Sequence, residues 1–86
     1  MSASSEVGVV LPAHLHARPA GALVQAVAKF VSTVEISYGD KTANARGVLA
    51  VMALGAPAGA TVWVRAVGDD AGEAVKALAE LLATTE

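Results

Sequence analysis

Alternating apolar and polar positions mark the extended segments of this chain. A period of two, typical of strands with one buried face, occurs at Val7–Leu11, Val34–Tyr38 and Thr61–Val67. A glycine–aspartate turn follows the second of these segments. We therefore expect Lys41–Ala43 to return as a short, polar strand at the edge of a sheet.

Apolar residues spaced three and four positions apart predict helices elsewhere. The first helix is expected to begin at His16 and to continue to about Phe30–Thr33. Its apolar face consists of Ala20, Leu23, Val24, Val27 and Val31. A second, short and strongly apolar helix is expected at Val48–Leu54, because Gly55 is a favourable residue just beyond a helix end.

The last helix is predicted to follow Asp70, which with Glu73 resembles a capping box. The apolar face of this helix comprises Val75, Leu78, Ala79 and Leu82. The order strand–helix–strand–strand–helix–strand–helix predicts an α+β open-faced sandwich, with three helices on one face of a four-stranded antiparallel sheet. We expect one domain over residues 1–86, in which residues 1–6 form a flexible N-terminal tail.

Composition excludes several classes of function. The absence of cysteine removes disulfides, thiol catalysis and thiolate metal sites, and fits a reducing compartment. A net charge of −2 with six basic residues argues against nucleic acid as a partner. The uncharged stretch Gly47–Val64 approaches the length of a membrane span, but Gly55, Pro57 and Gly59 interrupt it. We therefore expect a soluble protein without membrane insertion.

The start of the first helix is the candidate chemical site. His16 lies there with Arg18 two residues later, and Pro19 fits a first turn, where amide hydrogens lack intrahelical acceptors. The free N–H groups of Ala17 and Arg18 and the helix dipole would favour an anion held on the histidine, each dipole contribution being about 0.3–1 kcal/mol. On these residues alone, an ordinary histidine at a helix start is the more common explanation.

Three separated blocks resemble the histidine-containing phosphocarrier (HPr) family of the bacterial phosphotransferase system, over roughly residues 7–82. The first block is the motif Leu15–Ala20. The second contains Asn44–Arg46, Val48-Leu49 and Met52–Gly55. The third contains the glycine- and alanine-rich turn before Thr61–Ala66 and the start of the last helix at Gly68–Ala71.

This resemblance implies a cytoplasmic phosphocarrier that is not itself an enzyme and needs no cofactor. Enzyme I, phosphorylated from phosphoenolpyruvate, would pass a phosphoryl group to Nδ1 of His16, and IIA domains of sugar transporters would receive it. Arg18 would steady the phosphate, and the backbone of Ala17 and Arg18 would bind its oxygens. The resemblance also implies the strand order 1-4-2-3, and we expect a monomer.

The same resemblance implies that the short apolar helix is a docking surface. Its outward residues would meet enzyme I and the IIA domains beside the histidine. The candidate docking residues are Val48, Leu49, Met52 and Gly55. Val51 and Leu54 are expected in the core instead.

The sequence departs from the family pattern at three positions. His14 replaces a common glycine, and we interpret it as a solvated turn residue; a second phosphoryl acceptor and a two-histidine metal site are less favoured. No metal site is therefore predicted. Ala13 replaces a polar residue that can contact the histidine in many members. Gly47 replaces the regulatory serine of many Gram-positive members, which makes serine phosphorylation there impossible.

Two other functions remain open at this point. One is a regulatory interaction module on the same fold, in a nitrogen branch or acting by binding alone, although the presence of both His16 and Arg18 weighs against it. The other is a small-molecule-binding α+β domain, which has little support because the chain lacks a glycine-rich phosphate loop.

Overall fold

A computed structural model describes residues 3–85, which form four strands and three helices. In chain order they are β1 (Ala3–Val10), α1 (Ala17–Val27), β2 (Thr33–Tyr38), β3 (Lys41–Asn44), α2 (Val48–Ala53), β4 (Thr61–Gly68) and α3 (Ala71–Thr84). All neighbouring strands pair antiparallel, in the order β1-β4-β2-β3. The predicted βαββαβα open-faced sandwich with strand order 1-4-2-3 is confirmed.

The alternation along the strands separates a buried face from an exposed one. In β4 the buried side chains are Val62, Val64 and Ala66, and the exposed ones are Trp63, Arg65 and Val67. The buried face packs in one apolar cluster with side chains from the helices, including Leu23 of α1 and Leu78 of α3. The period of two predicted over Thr61–Val67 and the predicted apolar face of α3 are thus confirmed, with Ala79 half-buried at the margin of the cluster.

The first strand begins earlier than its apolar pattern indicates. β1 pairs with β4 from Ala3 opposite Gly68 to Val10 opposite Thr61. The prediction of a flexible tail is therefore wrong for residues 3–6, because backbone pairing with β4 does not require apolar side chains on the exposed face. Met1 and Ser2, the rest of the predicted tail, lie outside the described residues.

The first helix ends earlier than predicted. α1 stops at Val27, and the next turn tightens through bonds from the Lys29 N–H to the Ala26 carbonyl (3.1 Å) and from the Phe30 N–H to the Val27 carbonyl (3.0 Å). Val31, expected on the buried face, is 77% exposed. The extension to Phe30–Thr33 is wrong because residues 30–32 are bound by groups from elsewhere in the fold.

Asp70 provides one of these groups. It occupies the N-cap position of α3, but its side chain makes no capping bond, so the predicted capping box is wrong. Its carboxylate instead accepts from the Val31 N–H (2.9 Å), the Ser32 N–H (3.0 Å) and the Ser32 hydroxyl. These bonds, the hydroxyl first and the Val31 amide next, lower the pKa of Asp70 below its usual 3.8.

Gly68 makes this connection possible. Its φ of +149° lies outside the range that side-chain-bearing residues normally adopt, and a Cβ there would lie 2.6 Å from the Ser32 Oγ. Only glycine allows β4 to end in direct contact with Ser32. Ser32 itself is buried.

We predict that Asp70→Asn is less stable than the original protein at neutral pH and that this difference in stability becomes smaller in acid. Because the folded pKa is depressed, the carboxylate stabilises the native state above pH 3.8, and that contribution is lost as the pH falls through the folded value. Thermal melts of both proteins from pH 7 to pH 2 measure the difference in Tm. The control is Asp69→Asn, a neighbouring exposed carboxylate. The prediction would be contradicted if the loss of Tm in Asp70→Asn stayed the same in acid, or if Asp69→Asn showed the same loss of Tm.

Candidate functional site

His16 is the N-cap residue of α1, as the sequence predicts. Its backbone is extended (φ −96°, ψ −162°), and its carbonyl accepts the Ala20 N–H at 3.0 Å. The imidazole is exposed and makes no capping bond. The amides of Ala17 and Arg18 belong to the first turn and have no intrahelical acceptor. An exposed imidazole therefore stands beside two N–H groups at the positive end of a helix.

Leu15 fixes the position of this loop. Its side chain is 1% exposed, and its N–H donates to the Ala56 carbonyl at 3.0 Å. Ala56, also buried, lies in the loop between α2 and β4. The residue before His16 is thus attached both to the core and to the segment that follows the short helix. Sequence reasoning missed this contact, since a bond between backbone groups leaves no side-chain signal.

His14 lies on the other side of Leu15 and is exposed, as expected for a turn residue. The His16 N–H donates to the His14 carbonyl at 2.9 Å, which closes a tight turn around Leu15. The two imidazole rings face each other edge-on, with centroids 5.6 Å apart and an angle of 62° between their planes. The structure therefore brings both histidines of the chain together.

Arg18 is exposed in the first turn of α1. Its side chain lines an open depression between this turn and the end of α3. The depression is lined by Arg18, Pro19, Ala22, Thr84 and Thr85. Within residues 3–85 no hydrogen bond joins the Arg18 guanidinium to His16, so the structure places the two residues on one turn without direct polar contact.

The short helix presents a partly apolar surface. Leu49 is 77% exposed and Val48 is 37% exposed, while Met52 is half-buried against the core. Val51 and Leu54 are buried, as predicted. We call Val48, Leu49 and Met52 the α2 patch.

Gly55 ends this helix and begins the return toward the histidine loop. Its φ is +66°, the left-handed conformation expected just beyond a helix end, and it is exposed. The next residue, Ala56, accepts the bond from Leu15. The segment that follows α2 is therefore attached to the His16 loop through a backbone hydrogen bond.

The block Asn44–Arg46 has a structural explanation. Arg46 donates through Nη2 to the Phe30 carbonyl at 2.9 Å, and Ala45 donates its N–H to the Val34 carbonyl at 2.9 Å. The Asn44 side chain accepts the Arg46 N–H at 2.9 Å, which turns the chain into α2. These residues position α2 and the loop after α1, away from the histidine.

The part of the chain that the structure describes contains neither a group of three or more metal-ligating side chains nor a membrane-spanning helix. Residues 3–85 contain no group of three or more histidine, cysteine or acidic side chains suited to one ion. No helix in this range is long and apolar enough to cross a bilayer. The uncharged stretch Gly47–Val64 is divided among α2, a turn and β4.

Comparison with known proteins agrees with this architecture. A family model described as the PTS HPr component phosphorylation site matches residues 3–84. The phosphocarrier protein HPr of Bacillus anthracis is 33% identical, with 94% of this chain and 96% of that one covered and a TM-score of 0.82. HPr-C-His of Thermoanaerobacter tengcongensis is 34% identical, with 98% of each chain covered and a TM-score of 0.81.

A regulatory relative is also similar. The catabolite repression protein Crh of Bacillus subtilis, solved as a dimer with a swapped domain, is 33% identical, with 93% of this chain and 94% of that one covered and a TM-score of 0.77. The family match extends over nearly the whole chain and includes the His16 motif. This protein therefore belongs to the HPr family of phosphocarrier proteins of the phosphotransferase system.

Proposed function

We propose that this protein accepts a phosphoryl group on Nδ1 of His16 from phosphorylated enzyme I and donates it to IIA domains of sugar transporters. The observation that carries the proposal is the exposed imidazole of His16 at the N-terminus of α1. In each transfer the donor's bond to phosphorus breaks as the bond to the accepting atom forms, and in the first transfer that atom is Nδ1 of His16. The relay would run in the bacterial cytoplasm.

The first turn of α1 has the groups that a phosphoryl carrier needs. The amides of Ala17 and Arg18 can donate to the phosphoryl oxygens, and the exposed Arg18 guanidinium can turn to add a charge-assisted contact. Each of these contacts is modest at an exposed site, about 0.3–1 kcal/mol for the helix dipole. Modest stabilisation suits a carrier, because a group held too firmly would not be released to the next protein.

The α2 patch supports docking of enzyme I and the IIA domains. Leu49, the most exposed member, is 77% exposed, and Val48 beside it is 37% exposed, so two large apolar side chains of α2 face solvent. Met52 adds a flexible, polarisable side chain, which adapts to different partner surfaces. Gly55 extends this surface toward the His16 loop. We propose that the protein acts as a monomer that meets its partners one at a time through this surface.

Similarity to Crh supports a second candidate, a regulatory module that acts by binding. Phosphoryl transfer distinguishes the two, since a binding-only module would take no label. Gly47, the N-cap residue of α2, offers no hydroxyl for regulation by serine phosphorylation at that position. We favour the carrier because His16 and Arg18 are both present on the exposed first turn.

We predict that His16→Ala abolishes labelling from phosphoenolpyruvate and enzyme I, whereas His14→Ala remains labelled. Both residues are exposed, so neither change is expected to disturb the fold. Gel or mass-spectrometric detection of the labelled protein measures the result, and the linkage is expected to be acid-labile and base-stable. Labelling that persists in His16→Ala but is lost in His14→Ala would assign the acceptor to His14 instead.

We predict that Leu49→Lys slows phosphoryl transfer by about tenfold or more while stability changes by less than about 0.5 kcal/mol. The side chain is 77% exposed, so the folded monomer tolerates a charge that an apolar partner surface would have to desolvate. Transfer rates and thermal melts are measured on the same samples.

The matched control for this prediction is Val31→Lys. Val31 is also 77% exposed but lies in the loop between α1 and β2. We expect it to leave both transfer rate and Tm nearly unchanged. Equal transfer rates for Leu49→Lys and Val31→Lys would contradict the proposed docking role of the α2 patch.

A further inference from the structure

The two histidines form a pair that the proposed carrier role does not use. The His16 N–H donates to the His14 carbonyl, and the centroids of the two imidazole rings are 5.6 Å apart. Buried Leu15 between them, bound to the Ala56 carbonyl, holds the backbone of this turn. Both rings are exposed, so each can rotate about its side-chain bonds without disturbing the core.

The separation of the rings is close to, and slightly longer than, that of two imidazoles on one tetrahedral ion. A Zn–N bond of about 2.0–2.1 Å along the ring axis puts each ring centre about 3.2 Å from the metal. Two such ring centres are then about 5.2 Å apart when the N–Zn–N angle is tetrahedral, and about 4.5 Å apart when it is a right angle. The observed 5.6 Å is closer to the tetrahedral value. Imidazole nitrogen is also a preferred ligand of zinc.

We propose that His14 and His16 together chelate one Zn²⁺ ion, with water in the remaining positions. Residues 3–85 offer no third histidine, cysteine or acidic ligand for such an ion, so the site is open and the binding reversible. The ligand group from each histidine is an imidazole nitrogen. Hard cations such as Mg²⁺, which prefer oxygen ligands, do not compete.

Such a site would control the carrier, and this consequence rests on the proposed function. The ion would occupy a lone pair of the His16 imidazole, so zinc would obstruct transfer to that ring. His14 would thereby make the acceptor sensitive to zinc without taking part in phosphoryl transfer itself.

The binding arm of the test uses Zn²⁺ alone with the full chain. Calorimetry and NMR of the histidine ring signals are followed for the original protein, His14→Ala and His16→Ala, with Mg²⁺ as the negative control. We expect both ring signals to respond at the same zinc concentration, and each single variant to bind at least tenfold more weakly. Affinity unchanged in either variant, or a response from only one ring, would overturn the proposal.

The transfer arm adds zinc, and then a chelator, to the labelling reaction with enzyme I. We expect zinc to inhibit labelling of the original protein at concentrations at least tenfold below those that inhibit His14→Ala, and the chelator to restore it. Equal inhibition of both proteins would show that His14 does not mediate the zinc effect and would overturn the proposed control of the carrier. Failure of labelling without zinc would contradict the proposed function instead, and the binding arm would still decide the zinc site.

Discussion

The attachment of Leu15 is the constraint on which the functional end of this molecule depends. Its side chain enters the core while its N–H donates to the Ala56 carbonyl, so one residue joins the sheet-facing core, the histidine loop and the segment after α2. His16 can remain exposed because the residue before it carries the anchoring. A reactive side chain on a well-held backbone is accessible to partners without requiring local unfolding.

A second set of contacts holds the opposite end of α1. The carboxylate of Asp70 accepts from the amides of Val31 and Ser32, while Arg46 donates to the Phe30 carbonyl. Asp70 and Arg46 come from two other connections of the fold, β4–α3 and β3–α2, and both bind the loop between α1 and β2. They give partners to backbone groups that the helix no longer pairs, and so determine where α1 ends and β2 begins.

Exposure distinguishes the residues to which the proposed function assigns a role from those that support them. The imidazoles, Arg18 and Leu49 lie on the surface, whereas Leu15, Val51 and Leu54 beneath them are buried. This division allows a surface change to affect transfer without unfolding the protein. It also leaves the His14 and His16 rings exposed with their centroids 5.6 Å apart, the arrangement on which the proposed zinc site rests.

The sequence by itself determined the elements whose signals are local. Periods of two and of about 3.6 residues located the strands and helices, and His16 was correctly placed at the start of α1, because burial of one face and free amides at a helix end act over a few neighbouring residues. Only the tertiary structure decided that residues 3–6 pair with β4, that α1 stops at Val27 and that Asp70 binds Ser32 instead of capping α3. Asp70 and Ser32 are 38 positions apart, and no local pattern reports such a contact. The exposure of Leu49 likewise follows from the packing of distant segments, whereas the closeness of the two histidine rings accompanies the tight turn around Leu15, whose form no periodic pattern predicts.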